Sequence, residues 1–254
     1  MTDETRQSSS ETAYERLRML ILEGGLLAGE PLRVSTLAAS FGFGLTPLRE
    51  ALTRLQSEHL VTANFNRGFK VADSSIDELT DLGRVRAMID TQMLCEAIEH
   101  GGQDWEGALV AAHYQLSRTA VPALGDPPEH YRAWDRQHTA FHEALTAASR
   151  SQWMSRFAAQ ISDQLRRYHS NILIESTGAT ARDAGLRAEL EATARRVMAL
   201  DGHTHLMDAA LARDRDTAVR LMREHVQLSS HAYRKLQDVL TGLAAEKAHG
   251  DARQ

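Results

Sequence analysis

Eleven of the chain's twelve histidines follow residue 99, and four of them stand on faces that are otherwise apolar. His138 and His142 lie four apart in Trp134-Asp135-Arg136-Gln137-His138-Thr139-Ala140-Phe141-His142. On a helix, Asp135, His138 and His142 project from one side, and Trp134 and Leu145 turn that side inward. His203 shares a stripe with Leu200, Met207 and Ala210; His225 shares one with Ala218, Leu221, Met222 and Leu228. Three helices thus each aim an imidazole at an apolar interior. Imidazole suits zinc, nickel and similar borderline cations. A pair at i, i+4 can chelate one ion, and two more histidines leave a position for water or an anion. Taken singly, each could instead be a core histidine bonded to a carbonyl or an acid. Their alignment favours the metal. His205, beside Asp201 and Asp208, faces the other way and reads as solvated; His113, His169 and His231 have no comparable setting.

Two arginines join the candidates. Arg86 falls on the stripe Leu79, Leu82, Ile89, Met93, where an unpaired guanidinium is costly. It needs an anion, either Asp90 at i+4 or the carboxylate of a ligand held bidentately. Arg167, in Arg167-Tyr168, is the weaker ligand-binding candidate, since a long cationic side chain on a helix is usually solvated.

The elements that must position these groups follow from periodicity. Helices are expected near 75–99, 104–119, 129–148, 151–172, 183–210 and 214–241. Breaks fall at Gly101-Gly102, between Pro122 and Pro128, around Gly178 and at Arg213-Asp214. The ends, 1–9 and 245–254, read as frayed. The chain divides near Asp73-Ser74-Ser75, and an amphipathic helix from about Glu11 to Glu23 opens the first part.

That first part has a different chemistry. Leu37 to Glu58 reads as a short helix, a turn relieved by Gly42 and a second helix capped by Thr46, with Pro47 at its first position. Leu48, Leu52 and Leu55 pack inward, which leaves Arg49 and Thr53 facing out, where a major groove could receive them. Two short strands, Leu60 to Ala63 and Gly68 to Val71, flank Asn64-Phe65-Asn66-Arg67 as a wing. From Pro31 to Ala72 five basic residues (Arg33, Arg49, Arg54, Arg67, Lys70) face two acids (Glu50, Glu58), while the whole chain carries −5. Attraction to phosphate is concentrated here. Thr46, Arg49, Arg54, Arg67 and Gly68 are the candidate DNA-binding residues.

These residues carry a resemblance. Residues 10–72 resemble the N-terminal domain of GntR-type bacterial transcription regulators, whose pattern runs Leu-Ala, a Gly turn, Thr-Pro-Val-Arg-Glu-Ala-Leu and a wing ending Arg-Gly-x-x-Val. This chain has Thr46-Pro47-Leu48-Arg49-Glu50-Ala51-Leu52 and Arg67-Gly68-Phe69-Lys70-Val71. It departs just before Thr46, where the family has Ser or Thr and then a DNA-contacting Arg; Gly44 and Leu45 stand there instead. Residues 75–240 resemble, more loosely, the helical FCD-type effector domain of the family's FadR branch. The resemblance implies Asp-x-x-x-His on one helix and single histidines on two later helices around a divalent metal. His142, His203 and His225 match those histidines. His138 holds the Asp position, with Asp135 one turn earlier as the other choice for fourth ligand. A four-imidazole set favours zinc or nickel over manganese. The family also has an arginine near its cavity at the point of Arg86, and it acts as a homodimer.

Length and composition agree with this. The 254 residues hold two modest domains, and 43% hydrophobic residues with five prolines describe a globular chain. One cysteine, Cys95, excludes an internal disulfide framework, and no apolar stretch approaches a bilayer span, so a cytoplasmic location is expected. The expected fold is mainly α: a winged helix-turn-helix domain over 10–73, then an all-α helical bundle over 75–242. The expected function is a transcription regulator, not an enzyme, whose operator binding answers to a small organic acid held by the metal and Arg86. Two rivals are a constitutive DNA-binding protein with a structural metal and a metal-dependent hydrolase.

Overall fold

The computed structural model describes residues 3–64, 68–123, 125–179 and 184–251. The chain forms two compact units, Met1–Glu78 with Asp163–Asn171, and Leu79–Ser162 with Ile172–Gln254. Among the described residues no helix is long and apolar enough to cross a membrane.

The first unit contains α1 (Asp3–Leu22), β1 (Pro31–Leu32), α2 (Val34–Phe41), α3 (Leu45–Ser57), β2 (Val61–Asn64) and β3 (Gly68–Val71). Helix α1 starts at Asp3, so residues 3–9 are helical where frayed chain was expected. The sheet runs β1-β3-β2, all antiparallel, with Leu32 opposite Phe69 and Val61 opposite Val71. Strand β1 is too short to leave an alternating pattern in sequence. Leu17 and Ile21 of α1 close with Leu48, Leu52 and Leu55 of α3 into the core.

Gly42 ends α2 at φ 72°, as the turn requires. Helix α3 starts earlier than expected: Gly44 is its cap, at φ −67° and ψ 156°, and Gly44 O accepts from Leu48 N at 3.2 Å. Thr46 does not cap. Pro47 becomes the third helical residue, still among the positions whose N–H has no intrahelical partner.

The stretch 163–171, expected to belong only to the helical bundle, completes this unit. Gln164 donates to Glu58 O at 2.7 Å, Arg167 to Ala72 O at 2.7 Å, and Ser170 to Leu22 O at 2.7 Å. These carbonyls lie at or just past the ends of α3, β3 and α1.

The second unit is built from α4 (Ile76–His100), α5 (Gln103–Ser117), α6 (Pro128–Thr146), α7 (Gln152–Ala179), α8 (Ala184–Met198), α9 (Leu200–Leu211) and α10 (Arg215–Asp251). Helix α10 continues through most of 245–254, where fraying was expected. Leu94, Trp105, Leu109, Phe141, Leu145, Leu206 and Met222 are central to the core. The expected single helix over 183–210 is two, broken at Ala199, which is extended at ψ 135°. Ala199 O then faces His203, whose Nδ1 lies 2.9 Å away.

At the other end of α9, Arg213 turns at φ 60°, and its guanidinium donates to Ile98 O at 2.7 Å and Gly101 O at 2.8 Å. It also pairs with Glu106 and stacks over Trp105 at 4.9 Å. Asp214 caps α10 by accepting from Thr217 N at 3.1 Å. The α9–α10 corner is thereby fixed to the α4–α5 corner.

Gly101 has no room for a side chain. A Cβ there would lie 2.3 Å from the Trp105 ring and 2.6 Å from Ala97 O, and the indole is held by its bond to Ala144 O at 3.0 Å. Gly101→Ala should cost about 1–3 kcal/mol through forced overpacking. Gly107, exposed within α5 with nothing within 4 Å of a Cβ, should gain about 0.5–1 kcal/mol as alanine. Urea midpoints of the two variants must move in opposite directions.

Candidate functional site

The helical unit brings the four expected histidines together. His138 and His142 come from α6, His203 from α9 and His225 from α10, and one ring nitrogen of each lies within 4.8 Å of all the others. His138 Nε2 and His142 Nε2 are 3.1 Å apart. Ring centroids of His203 and His225 are 4.7 Å apart, and those of His142 and His225 4.9 Å.

Aromatic packing fixes the rings. Trp134 stacks on His138 at 4.5 Å and 16°, while Phe141 meets His142 and His203 edge-on at 5.4 Å. Phe141 is wholly buried, so the imidazoles rest on the apolar core. His113 meets Phe141 edge-on at 6.0 Å and bonds Thr204 at 2.8 Å, and His205 is exposed.

Burial sets the charge state. It depresses the His203 pKa to about 4 and that of His225 to about 3, where electrostatic repulsion from His203 and Arg86 adds to the effect. His142 falls well below 6.5, through burial first and then through electrostatic repulsion that its protonated form would meet from His138, His225, Arg86 and His203. These three rings are neutral at pH 7, with lone pairs available. His203 Nε2 and His142 Nδ1 are buried and make no hydrogen bond among the described residues. An unsatisfied buried nitrogen is costly.

The donor set suits a divalent cation. Nitrogen ligands about 2.1 Å from one ion lie no more than about 4.2 Å apart, close to the spread found here. Imidazole nitrogens suit borderline first-row cations such as zinc, nickel, copper and iron. Asp135 is not in the group of close donors; it is buried and raises the pKa of the Tyr233 phenol, where burial is the larger cause.

Arg86 reaches Asp90, with Nε 3.0 Å from Oδ2 and both side chains mostly buried. Of the two partners expected for it, the structure contains the internal one. Arg167 is not at the histidines. It is fully buried in the other unit, donating to Ala72 O and to Asp73 O at 3.2 Å. Backbone carbonyls take Nη1, Nε donates to Gln164 Oε1 at 3.3 Å, and Nη2 is buried with no hydrogen-bond partner among the described residues.

A groove of about 1240 Å³ opens onto His225. Arg196, Arg223, Arg234 and His231 line it, as does Thr91, whose hydroxyl is buried without a partner. Sequence reading passed over these arginines. The signal lies on α10, where positions 223, 227, 230, 231 and 234 recur at helical spacing along one face.

The winged unit presents Leu45, Thr46, Arg49 and Thr53 on the exposed side of α3, opposite the buried Leu48, Leu52 and Leu55. Gly68 is exposed at the start of β3, and Arg67 lies outside the described residues. Arg54 is engaged elsewhere, bonding Glu11 at 2.6 Å and stacking over Tyr14 at 3.6 Å. Tyr14 in turn donates to Glu58 at 2.7 Å.

Comparison with known proteins agrees with both units. Residues 9–71 match bacterial regulatory proteins of the gntR family, and residues 81–228 match the FCD domain. The chain is 32% identical over 218 residues to the HTH-type transcriptional repressor GlaR of Escherichia coli K12, covering 86% of this chain and 92% of the relative. It is 31% identical over 229 residues to the uncharacterized HTH-type transcriptional regulator BphR of Paraburkholderia xenovorans LB400, covering 90% and 86%. In fold it is similar to E. coli McbR/YncC, at TM-score 0.65 and 18% identity over 89% of this chain and 97% of that one. A GntR regulator from Rhodococcus sp. RHA1 is similar to the same extent, at TM-score 0.66, 18% identity and the same coverage. A mainly α chain with a winged helix-turn-helix unit and an FCD helical unit, it belongs to the GntR family of DNA-binding transcription regulators.

Proposed function

We propose that this regulator's operator binding is controlled by a small organic acid bound at a divalent-metal site in the helical unit, the protein acting in the cytoplasm as a homodimer. The observation that carries this is the cluster of His138, His142, His203 and His225 with two buried ring nitrogens lacking partners. These four residues would hold zinc or nickel. When bound, the ion supplies positive charge on which a carboxylate oxygen can settle. Trp134 and Phe141 keep water from the inner side, while the groove gives access at His225. The arginines along that groove favour an anion over a neutral or cationic guest.

Arg86 narrows the choice of acid. Paired with Asp90, it has its charge largely offset, so a monocarboxylate fits better than a dicarboxylate spanning ion and guanidinium. For control, the acid must bind better to one arrangement of the paired reading heads; equal affinity for both changes nothing. Dimerisation suits a two-fold operator. The Arg86–Asp90 pair also favours the second reading, a constitutive regulator with a structural metal.

In the reading head, Thr46, Arg49, Arg67 and Gly68 are proposed to face DNA; Arg54 would act mainly by bracing α3 against α1. Arg49→Ala should cost about 1–3 kcal/mol on the operator and little on scrambled duplex, as loss of a base contact does. Arg67→Ala should weaken both alike, as a phosphate contact does. Titrations at one salt concentration decide between these behaviours.

Tag-free protein should contain about one zinc or nickel ion per chain, a single ion shared by the four imidazoles. His203→Ala or His225→Ala should release it and lower the melting temperature, because an ion that binds only the folded state adds stability. Elemental analysis and melting before and after chelation provide the check. An apo protein indifferent to added zinc, nickel and manganese would exclude the site.

In a thermal-shift screen of C3–C6 acids, monocarboxylates should stabilise metal-loaded protein, lose that effect after chelation and keep it in Arg86→Lys. Acids that stabilise should also release operator DNA. If no acid shifts the melting point, the constitutive reading stands.

A further inference from the structure

Leu45 is the first residue of the reading helix α3, and 53% of its surface is exposed. The core does not need it. Leu48, Leu52 and Leu55 are essentially inaccessible, and Phe41 and Phe43 fill the edge of the same cluster. Its surroundings are open as well: Gly44 before it is exposed, and among the described residues a Cβ at Gly42 would meet nothing within 4 Å. Arg49, one turn on, is exposed on the same face and makes no ion pair among the described residues. A large apolar side chain therefore stands one helical turn from an exposed guanidinium at the leading end of α3.

We propose that Leu45 is a specificity residue that reads the 5-methyl group of a thymine in the major groove. Resting on the DNA-binding role of the winged unit, the inference adds what that unit selects. Phosphates and the hydrogen-bonding edges of bases offer leucine no partner, and contact with a sugar would carry no base specificity. The thymine methyl is the apolar group that unmodified base pairs present in the major groove. Residues 45 and 49 are separated by about 6 Å along the helix, the length of about two base steps. The thymine thus lies within about two base pairs of the base that Arg49 reads.

The test begins by selecting duplexes from a random library with the full chain. Each thymine of the selected operator is then replaced by deoxyuridine, which removes the methyl and keeps every hydrogen-bonding group. One thymine per half-site should lose about fourfold in affinity for wild type, the scale of one buried methyl, and lose nothing for Leu45→Ala. Leu45→Arg should move the preference at that base pair from thymine to guanine. If every uridine substitution affects wild type and Leu45→Ala alike, the inference is overturned while operator binding stands. A change in oligomeric mass on Leu45→Ala would assign the side chain to a protein interface and also overturn it. Failure to enrich any sequence would sink the reading head's sequence selectivity and this inference with it.

Discussion

Desolvation of imidazole governs the helical unit. A buried histidine needs a partner for each ring nitrogen or bears the cost of the one left over. Here four meet, and each brings a second nitrogen that must be placed. Ala199 O serves His203 Nδ1, which leaves Nε2 directed among the other rings. The ring nitrogens of His138 and His142 face each other, an arrangement in which one must donate if the other accepts. The rings cannot fully satisfy one another. A cation that accepts one lone pair from each ring relieves the opposition between His138 and His142, while protonation would add charge to a site that already opposes it.

That constraint gives meaning to features with no chemistry of their own. The break at Ala199 costs α8–α9 a continuous helix and frees a carbonyl that orients His203. Arg213 fixes the corner between α9 and α10, the helices that carry His203 and His225. Phe141 supports two of the four rings from below. The Arg86–Asp90 pair stands near enough for Arg86 to depress His142 and His225, so losing Asp90 would leave more positive charge facing the cluster. Asp90 therefore protects the site's charge balance even without touching an imidazole.

How much was legible in the sequence follows from the range of the interactions. The i, i+4 pair on α6 and the stripes around His203 and His225 are local, and helical periodicity alone points them inward. The turn at Gly42 and the apolar side of α3 are local too. The break at Ala199 was hidden because alanine is a good helix former, and only a side-chain bond four residues on betrays it. Thr46 misled because its type suits a cap, although extended Gly44 could end the turn one step sooner. Arg86 was left with two partners in sequence, and spacing could not choose between them. Arg167 was indistinguishable from a ligand-binding arginine, since its partners lie about a hundred residues earlier.

The same range explains why 163–171 belongs with the winged unit. A small head has several chain ends whose last carbonyls lack partners inside their own element. Gln164 and Ser170 satisfy one such carbonyl each, and Arg167 binds the carbonyl beyond β3 with a charged donor. Charge-assisted bonds of this kind contribute about 1.5–3 kcal/mol, a large share of what a head this size can hold in reserve. Arg167 carries no opposite charge in these bonds. Its positive charge is instead spread over carbonyl oxygens and the face of Tyr168, 4.6 Å away. Such an arrangement tolerates little substitution: lysine lacks the planar guanidinium that reaches Gln164 Oε1 through Nε and both carbonyls through Nη1, and methionine supplies no donor to either. The winged unit thus depends on nine residues of α7 that its own local sequence never announces.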